Sequence, residues 1–276
     1  MGRSVRAVWL SAQLFLPAVA SAATLAPIPI NIIDGIDDRG SLLRLGPALG
    51  LSAAEIARIR LVSGHVLCAG DEPMAGSGAL FLTNDQILTA GHLLFENGHL
   101  RTKCYFRSQT DGSAWIALDL DRARFGGSPP KPGSNDDWAI VRLSEPIAGA
   151  EPFPVATTAP AAGDRLIVVS AHPLGMEAVD PAIPVVQACT IRRVPISSAA
   201  TSFYRTDCDA TGGSSGGMHL ARVGGALAFR GMSISSGPAD DPKLAGAPYN
   251  EKAGSVTTAL GVDRAILAAG KSLAAP

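Results

Sequence analysis

Charged and aromatic side chains are scarce in this sequence of 276 residues. Charged residues form 17% of it and aromatic residues 5%, and 23 lysines and arginines nearly balance 24 aspartates and glutamates. A protein that binds nucleic acid or an anionic membrane surface normally carries a clear excess of basic residues. The near-neutral balance therefore argues against both kinds of partner.

Side chains that could hold a metal ion are also few. The four cysteines are widely separated, and no two of the five histidines stand at a spacing typical of a metal site. We therefore expect no metal ion. The sequence implies no organic cofactor either. A small, even number of cysteines is instead typical of disulfide bonds in an exported protein.

Long apolar runs are missing after the first 22 residues, so nothing later in the chain is predicted to span a membrane. Residues 1–22 have the layout of a signal peptide: Arg3 and Arg6, an apolar stretch over residues 7–19, and the small-residue site Ala20–Ala22. A membrane anchor is the alternative, but the stretch is short for a bilayer and is interrupted by Pro17. We predict cleavage after Ala22, export to a periplasm or the medium, and no membrane attachment afterwards.

The processed chain is predicted to divide at residue 61. Residues 24–50 are irregular and contain three prolines. We therefore predict that residues 23–60 form an N-terminal arm or a pro-segment, and the sequence does not decide between the two. Near the end of this segment Ser52 and Glu55 form a capping box, which predicts a short helix that includes Ile56 and Ile59. Residues 61–276 are predicted to form one domain.

Short apolar runs separated by turn residues fill that domain, a pattern typical of sandwiches and barrels rather than of alternating strands and helices. The turns draw on 30 glycines and 20 prolines. Apolar positions between residues 261 and 271 have helical spacing and predict a closing helix. The predicted strands are Gly64–Cys68, Gly78–Leu82, Gln86–Thr89, Lys103–Arg107, Trp115–Leu118, Trp138–Leu143, Arg165–Ser170, Pro184–Ile191, Phe203–Asp207, Met218–Ala221 and Ala226–Ile234.

The stretch Cys208–Gly217 is unsuited to regular structure. Its two Gly-Gly pairs and two adjacent serines make a poor helix and a poor strand, because glycine loses entropy in either and serine competes for backbone hydrogen bonds. Such a run suits a loop whose N–H groups converge beside a projecting hydroxyl, as an oxyanion hole beside a nucleophile requires. Ser215 is therefore the candidate nucleophile.

A serine nucleophile needs a base, and the base needs an acid that fixes its tautomer. His92 follows an apolar strand and an Ala-Gly pair, which would place its ring at a strand end. Asp137 directly precedes an apolar strand and is thereby attached to the core. Taken singly, a packed histidine and an ordinary turn acid are the simpler interpretations, and His219 fits the packed alternative better than His92 does.

Three blocks in chain order carry a resemblance to a known family. Thr89–His92, Asp137–Val141 and Gly213–Gly217 resemble the signature blocks of the chymotrypsin-like (trypsin-fold) serine proteases, and most of all those of the bacterial V8-like branch. The resemblance covers the chain from about Leu61 to its end. It implies an all-β fold of two packed six-stranded antiparallel β-barrels with a short N-terminal helix and a C-terminal helix, and a catalytic cleft where the barrels meet.

The resemblance also implies roles for the residues in these blocks. His92 resembles the general base, Asp137 its orienting acid and Ser215 the nucleophile. The backbone N–H groups of Gly213 and Ser215 would form the oxyanion hole, in which each donor typically contributes about 10²–10³ to the rate.

Substrate contacts are implied for two further segments. The strand that ends with Ser235, Ser236 and Gly237 would pair with the extended backbone of a peptide, and Ser235 could also contact the acid. Asp209, six residues before the candidate nucleophile, would favour Arg or Lys at the cleaved position, although a structural turn acid is an equal alternative. Digestive members carry an acid where this chain has Ser214, so their activation by a newly cut N-terminus is not expected here.

The four cysteines allow three pairings, and the sequence alone proves none of them. Pairing in chain order would give Cys68–Cys104 and Cys189–Cys208. Cys68 precedes a turn predicted at Gly76–Gly78 and Cys104 follows His92, so the first bond would brace the base. The second would brace the stretch Cys208–Gly217, here called the nucleophile loop. Closing a loop of the second size would stabilise the fold by about 3 kcal/mol on the chain-entropy account. Free buried thiols are the less favoured alternative outside the cytoplasm.

These features together predict an exported, monomeric serine endopeptidase that acts on protein or peptide substrates through an acyl-enzyme on Ser215. The alternative is a catalytically silent member of the same family that binds a peptide or partner in the same cleft. An esterase with the same three residues is disfavoured, because its serine usually lies on a strand–turn–helix elbow and strands are predicted on both sides of this loop.

Overall fold

Strands make up most of the regular secondary structure of the computed structural model, which describes residues 30–195, 203–237, 244 and 246–274, with only the backbone described at residues 30 and 31. The predicted signal peptide, residues 1–22, lies outside this range. The described α-helices are α1 (Leu42–Leu45), α2 (Ala53–Val62) and α3 (Arg264–Ala274), and none of them is long and apolar enough to cross a membrane. The strands are β1 (Ile30–Asn31), β2 (Gly40–Ser41), β3 (Ser63–Cys68), β4 (Met74–Leu80), β5 (Gln86–Thr89), β6 (Phe95–Glu96), β7 (His99–Leu100), β8 (Cys104–Ser108), β9 (Ile116–Phe125), β10 (Ala139–Leu143), β11 (Arg165–Ser170), β12 (Val185–Arg193), β13 (Phe203–Thr206), β14 (Ala210–Thr211), β15 (Met218–Val223), β16 (Ala226–Ser236) and β17 (Thr257–Gly261).

Two six-stranded antiparallel barrels form the body of the fold. The first closes in the order β10-β5-β4-β3-β8-β9, and the second runs β11-β15-β16-β17-β13-β12, with β11 pairing back onto β12. Outside the second barrel β2 pairs with β12, and β1 pairs with β14. The predicted all-β fold of two packed barrels is thereby confirmed.

One hydrophobic core extends from each barrel into the other. At their junction the ring of Phe81, directly after β4, meets the ring of Phe229 on β16 edge to face, with 5.8 Å between the centroids. Both rings are buried. Burying a side chain of this size contributes about 1.5–3 kcal/mol, so the contact helps to hold the barrels, and the cleft between them, in one arrangement.

Helix α2 begins at the predicted capping box. The N–H of Glu55 donates to Ser52 Oγ at 3.2 Å, and the N–H of Ser52 donates to Glu55 Oε2 at 2.8 Å. These bonds satisfy donors that the start of a helix otherwise leaves unpaired. The helix runs on past Arg60 to Val62, because Ile59 and Val62 are buried in the core.

The C-terminal helix starts later than the apolar pattern predicts. Residues 257–261 form β17, which pairs with β16 on one side and β13 on the other and so completes the second barrel. Asp263 Oδ1 then accepts a hydrogen bond from the N–H of Ile266 at 2.9 Å, and α3 begins at Arg264 rather than near Gly261. The sequence Thr-Thr-Ala-Leu-Gly carries too weak an apolar signal to predict the strand.

Both disulfide bonds expected from pairing in chain order are present. Cys68 and Cys104 lie opposite each other on the paired strands β3 and β8. Cys189 on β12 binds Cys208, which begins the glycine- and serine-rich stretch. The second bond therefore attaches the start of the nucleophile loop to the second barrel.

Candidate active site

His92 follows the end of β5, a strand of the first barrel. The chain passes through buried Ala90 into a short 3₁₀ turn, Gly91–Leu94, in which Gly91, Leu93 and Leu94 are buried. The imidazole itself keeps 19% of its side-chain area exposed. The backbone is thus fixed by the core, while the ring can be reached from solvent.

Asp137 holds the ring from the protein interior. Its carboxylate is fully buried, Oδ2 accepts a hydrogen bond from His92 Nδ1 at 2.8 Å, and Oδ1 accepts one from the His92 backbone N–H at 2.9 Å. The N–H of Gly133 is a further donor to Oδ2 at 2.7 Å. When Nδ1 donates to a carboxylate, Nε2 of the neutral ring is left as an acceptor, which is the form that a general base needs.

The neighbouring acid, Asp136, is engaged elsewhere. Its carboxylate accepts hydrogen bonds from Ser134 Oγ and from the N–H of Lys131, the latter at 3.3 Å. Of these two adjacent acids, only Asp137 hydrogen-bonds His92 in the described structure.

Ser215 lies in a tight, half-buried loop. The N–H of Ser214 donates to Thr211 O at 2.9 Å and closes a turn just before Ser215. Directly after it, Gly216 has a φ of +80°, and a side chain at this position would overlap the carbonyl oxygen of Ser77. Conformation and close approach both require glycine at 216.

Ser77 connects this loop to the first barrel. Its N–H donates to Ser215 O at 2.8 Å, and its hydroxyl donates to Gly213 O at 2.8 Å. The same hydroxyl accepts from the N–H of Ala171 at 2.9 Å, and Ser77 O accepts from Thr89 Oγ1 at 2.7 Å. Since Thr89 ends the strand that leads to the histidine turn, one buried serine contacts both halves of the site.

Sequence reasoning does not identify Ser77 as a functional residue. It predicts a turn at Gly76–Gly78, and this prediction is wrong, because these residues lie within β4. A side chain at Gly76 would come within 3.0 Å of Ser215 O. Glycine inside a strand often marks the close approach of another backbone, and this is the signal that could have found the contact.

The structure joins His92 to Asp137 directly and brings Ser215 to the same junction through its backbone. Among the described residues no hydrogen bond links Ser215 Oγ to His92, and such bonds are often long before substrate binds. In the same part of the chain, the N–H groups of Gly213 and Ser215 donate to no protein acceptor. Both donors are therefore available to a ligand atom beside the serine.

A family model for the trypsin-like peptidase domain matches residues 76–227. The match covers more than half of the chain and includes His92, Asp137 and Ser215. The chain belongs to the trypsin-like peptidase family. Its class is that of the serine endopeptidases. A search of curated protein sequences gave no match.

Solved structures similar to this trypsin-like peptidase include several proteases of low sequence identity. A Glu endopeptidase shares 12% identity at a TM-score of 0.62, covering 87% of this chain and 98% of that chain. The protease Anisep from Arthrobacter nicotinovorans shares 16% identity at a TM-score of 0.53, over 78% of this chain and 96% of its own. A protease from M. tuberculosis in its active form shares 14% identity at 0.54, over 94% and 96% respectively. At these identities the likeness establishes the fold alone.

In this peptidase Asp209 binds the N-terminal segment of the chain. Its side chain is buried, Oδ1 accepts from the N–H of Ile33 at 2.8 Å, and Oδ2 accepts from the N–H of Asp38 at 3.0 Å. Burial raises the pKa of this carboxyl to about 6, the two backbone donors oppose the rise, and the charge of Asp37 adds to it. Because both oxygens are engaged within the protein, these contacts favour the structural alternative over a pocket acid.

Ser235, Ser236 and Gly237 stand at the end of β16. β17 pairs with Ser235 and Ser236 on one side, whereas the pairing with β15 on the other side stops at Met232. Ser233 still forms backbone hydrogen bonds with Gly216 and Gly217 on that side, so the described strand has an unpaired edge beyond Ser233. Ser235 makes no hydrogen bond to the buried acid in the described structure, but it lies against Gly133, whose N–H binds that acid.

Three buried polar side chains form a hydrogen-bonded row inside the second barrel. His219 Nδ1 bonds to Tyr204 Oη at 2.9 Å, and His219 Nε2 bonds to Ser233 Oγ at 2.8 Å. Burial lowers the pKa of His219 to about 3, so the ring is neutral. Ser233 O accepts from the N–H of Gly216 at 2.8 Å, and its N–H donates to Gly217 O at 3.0 Å. The sequence suggests a packed histidine at 219 but gives no sign of its connection to the nucleophile loop.

Proposed function

We propose that this trypsin-like peptidase is an exported endopeptidase whose catalytic triad is His92, Asp137 and Ser215. The observation that carries the proposal is the double attachment of His92 to Asp137, through Nδ1 at 2.8 Å and the backbone N–H at 2.9 Å. A buried carboxylate is costly unless it is paired and hydrogen-bonded. Here its partner is a partly exposed imidazole whose second nitrogen has no described protein partner, as a base that receives a proton requires.

In the proposed reaction, His92 Nε2 removes the proton of Ser215 Oγ while this oxygen attacks the carbonyl carbon of a peptide bond. Asp137 remains ionised and stabilises the imidazolium through Nδ1. The proton then passes to the amine of the leaving peptide, the C–N bond breaks, and Ser215 keeps the acyl group. Water attacks this acyl-enzyme with the same histidine as base, which releases the acid and restores the serine.

The N–H groups of Gly213 and Ser215 are proposed to bind the negative oxygen of the tetrahedral intermediate. Two observations support this role. Both N–H groups lack a described acceptor, and Gly213 O is held by the hydroxyl of Ser77, which fixes the orientation of the loop. Preorganised donors of this kind stabilise developing charge without having to reorient during the reaction.

Protein or peptide substrates are proposed to bind in extended form along the unpaired edge at Ser235, Ser236 and Gly237. Main-chain pairing would give affinity with little sequence preference. A preference for Arg or Lys rests on Asp209, and its two bonds to the N-terminal segment argue against that role. In a peptide-library cleavage profile, an Arg or Lys preference that vanishes in Asp209→Ala would support the pocket role, and an apolar preference would exclude it.

Covalent labelling tests the proposed nucleophile. A fluorophosphonate should label the processed enzyme once, at Ser215, and Ser215→Ala should abolish both labelling and peptide cleavage. Ser272→Ala on the exposed side of α3 is the matched control and should behave like the wild type. If the folded wild-type protein takes no label and cleaves no peptide library, the silent peptide-binding member is the correct alternative.

Export completes the proposal. Two disulfide bonds suit an oxidising compartment, and the sequence of residues 1–22 predicts a signal peptide. N-terminal sequencing of the protein recovered from the periplasm or medium of a bacterial host should give Ala23. A protein retained in the cytoplasm with its first residues intact would contradict export. The expected monomeric state stays a prediction, to be measured by sedimentation.

A further inference from the structure

The N-terminal segment from residue 30 to residue 41, here called the arm, pairs with the chain just before the nucleophile loop. β1 lies antiparallel to β14, with Ile30 opposite Thr211 and Asn31 opposite Ala210. β14 is followed immediately by Gly212. The arm is therefore attached to the residues that directly precede the loop with the proposed oxyanion donors, the N–H groups of Gly213 and Ser215.

Asp209 fastens the arm a second time, one residue before β14. Its two oxygens accept from the N–H groups of Ile33 and Asp38, at 2.8 and 3.0 Å, and only 4% of the residue is exposed. Hydrogen bonds from backbone donors to a carboxylate are charge-assisted and about twice as strong as neutral ones. A single buried side chain thus binds two points of the arm that are five residues apart.

Arg39 fastens it a third time. Its Nη1 donates to Thr211 Oγ1 at 2.7 Å and to Leu174 O at 3.2 Å, and Thr211 Oγ1 in turn donates to Leu174 O at 2.8 Å. Asp37 holds the guanidinium from the other side, with Nε–Oδ1 and Nη2–Oδ2 distances of 2.8 Å. Arg39 is 6% exposed, so its guanidinium is held inside the fold, with the exposed Asp37 on its outer side.

Thr211 transmits these contacts to the loop. Its carbonyl oxygen accepts from the N–H of Ser214 at 2.9 Å, and its own N–H donates to Ser214 Oγ at 3.2 Å. One residue further on, Gly212 O accepts from the N–H of Leu174 at 2.9 Å. Thr211 is thus bonded on one side to the arm and on the other to the turn that contains the N–H of Gly213.

We propose that Arg39 and Asp209 are positioning residues that hold the turn from Thr211 to Ser215 in its oxyanion-binding form. The arm is then a permanent part of the working enzyme rather than a pro-segment that maturation removes. This inference rests on the proposed function. In this proposal Arg39 and Asp209 order the turn. Ser214 does not perform this task, because it makes only local hydrogen bonds within the described structure.

The test compares Arg39→Gln and Asp209→Asn with matched controls in the full, processed protein. Arg44→Gln changes an exposed arginine of α1, and Asp38→Asn changes an exposed acid in the same part of the arm. Fluorophosphonate titration counts the active sites, and kcat and KM for a peptide substrate are expressed per titrated site. We expect kcat per site to fall about 10- to 100-fold in both test variants, less than for complete loss of an oxyanion donor, with KM changed much less. The controls should match the wild type.

The outcomes separate the two proposals. A residue that only stabilised the fold would lower the number of titrated sites or the Tm and leave kcat per site unchanged, and this result would overturn the positioning role. A wild-type protein that takes no label would instead overturn the proposed function itself. If a variant does not fold, mass spectrometry of the active, processed wild type still decides, because an active form that begins after Ser41 would refute the permanent arm.

Discussion

Ser77 donates its backbone N–H to the carbonyl oxygen of Ser215 at 2.8 Å, across the junction between the two barrels. Ser77 belongs to β4 of the first barrel, and Ser215 lies in the loop that leads into β15 of the second. The proposed nucleophile is thus bonded to the barrel that carries His92 and Asp137. The alignment of side chains from two barrels depends on contacts of this kind, since no single strand carries all three.

We expect Ser77→Ala to lower both stability and kcat. The change removes the hydroxyl that donates to Gly213 O and accepts from the N–H of Ala171. It leaves the buried N–H of Ala171 and the part-buried carbonyl of Gly213 without this partner. An unsatisfied buried group costs about 1–3 kcal/mol, and a displaced Gly213 should lower kcat by about tenfold or more. Urea unfolding and kcat per titrated site measure the two effects, with Ser272→Ala as the control. Values equal to those of the control would contradict the role given to this serine.

The two adjacent acids allow a sharp test of the proposed triad. Asp137→Asn should lower kcat by about 10⁴-fold, the size known for this change in Ser-His-Asp triads, because the amide favours the wrong tautomer of His92. Asp136→Asn keeps an acceptor for its Ser134 and Lys131 donors and should leave kcat within about twofold. Steady-state kinetics on one peptide substrate measures both. A comparable loss in the two variants would remove Asp137 from its assigned role.

The strand pattern could be read from the sequence because each barrel strand is short, apolar and bounded by turn residues. Gln86–Thr89 and Arg165–Ser170 lie where the pattern predicts them. The other predicted strands are present and differ from the prediction mainly at their ends. β17 was not predictable in this way. Its five residues are all buried, yet they include two threonines and a glycine, and only pairing with β16 and β13 makes them a strand.

The contacts of the arm could not be predicted for a related reason. β1, β2 and β14 are two residues long, and such strands are defined by their partners rather than by any pattern of their own. Ile33 and Asp209 are 176 residues apart in sequence, and a buried acid that binds N–H groups looks the same in sequence as one that lines a pocket. The sequence is therefore consistent with two roles for Asp209, and its bonds to the arm favour the structural one.

Asp209 should contribute to the free energy of unfolding, and this contribution should decrease as the pH rises. Burial raises the pKa of this carboxyl to about 6 from its ordinary 3.8, with Asp37 adding to the rise and Arg39 opposing it. The folded state then holds the proton more tightly than the unfolded chain, so the contribution is complete below pH 3.8 and is lost as the pH rises to about 6.

Asp209→Asn cannot titrate and should lack this pH-dependent contribution to stability. Urea unfolding between about pH 4 and pH 7 should show the wild type gaining stability relative to the variant as the pH is lowered. Asp38→Asn, which leaves the backbone donor of residue 38 in place, is the control and should run parallel to the wild type. A constant difference between wild type and Asp209→Asn over this range would contradict the raised pKa.

His219 should contribute with the opposite sign over an overlapping range. Burial lowers its pKa to about 3 from an ordinary 6.5, so the unfolded chain takes up a proton that the folded ring refuses. Its contribution is therefore complete above pH 6.5 and is lost as the pH falls towards 3. His219→Gln should be less stable at neutral pH, because the bonds to Tyr204 and Ser233 are disturbed, but it should lose less stability on acidification. Urea unfolding across the same pH series measures this difference, with the exposed His99→Gln as the control. Parallel curves for wild type and His219→Gln would contradict the lowered pKa, because the buried ring would then accept its proton without unfolding.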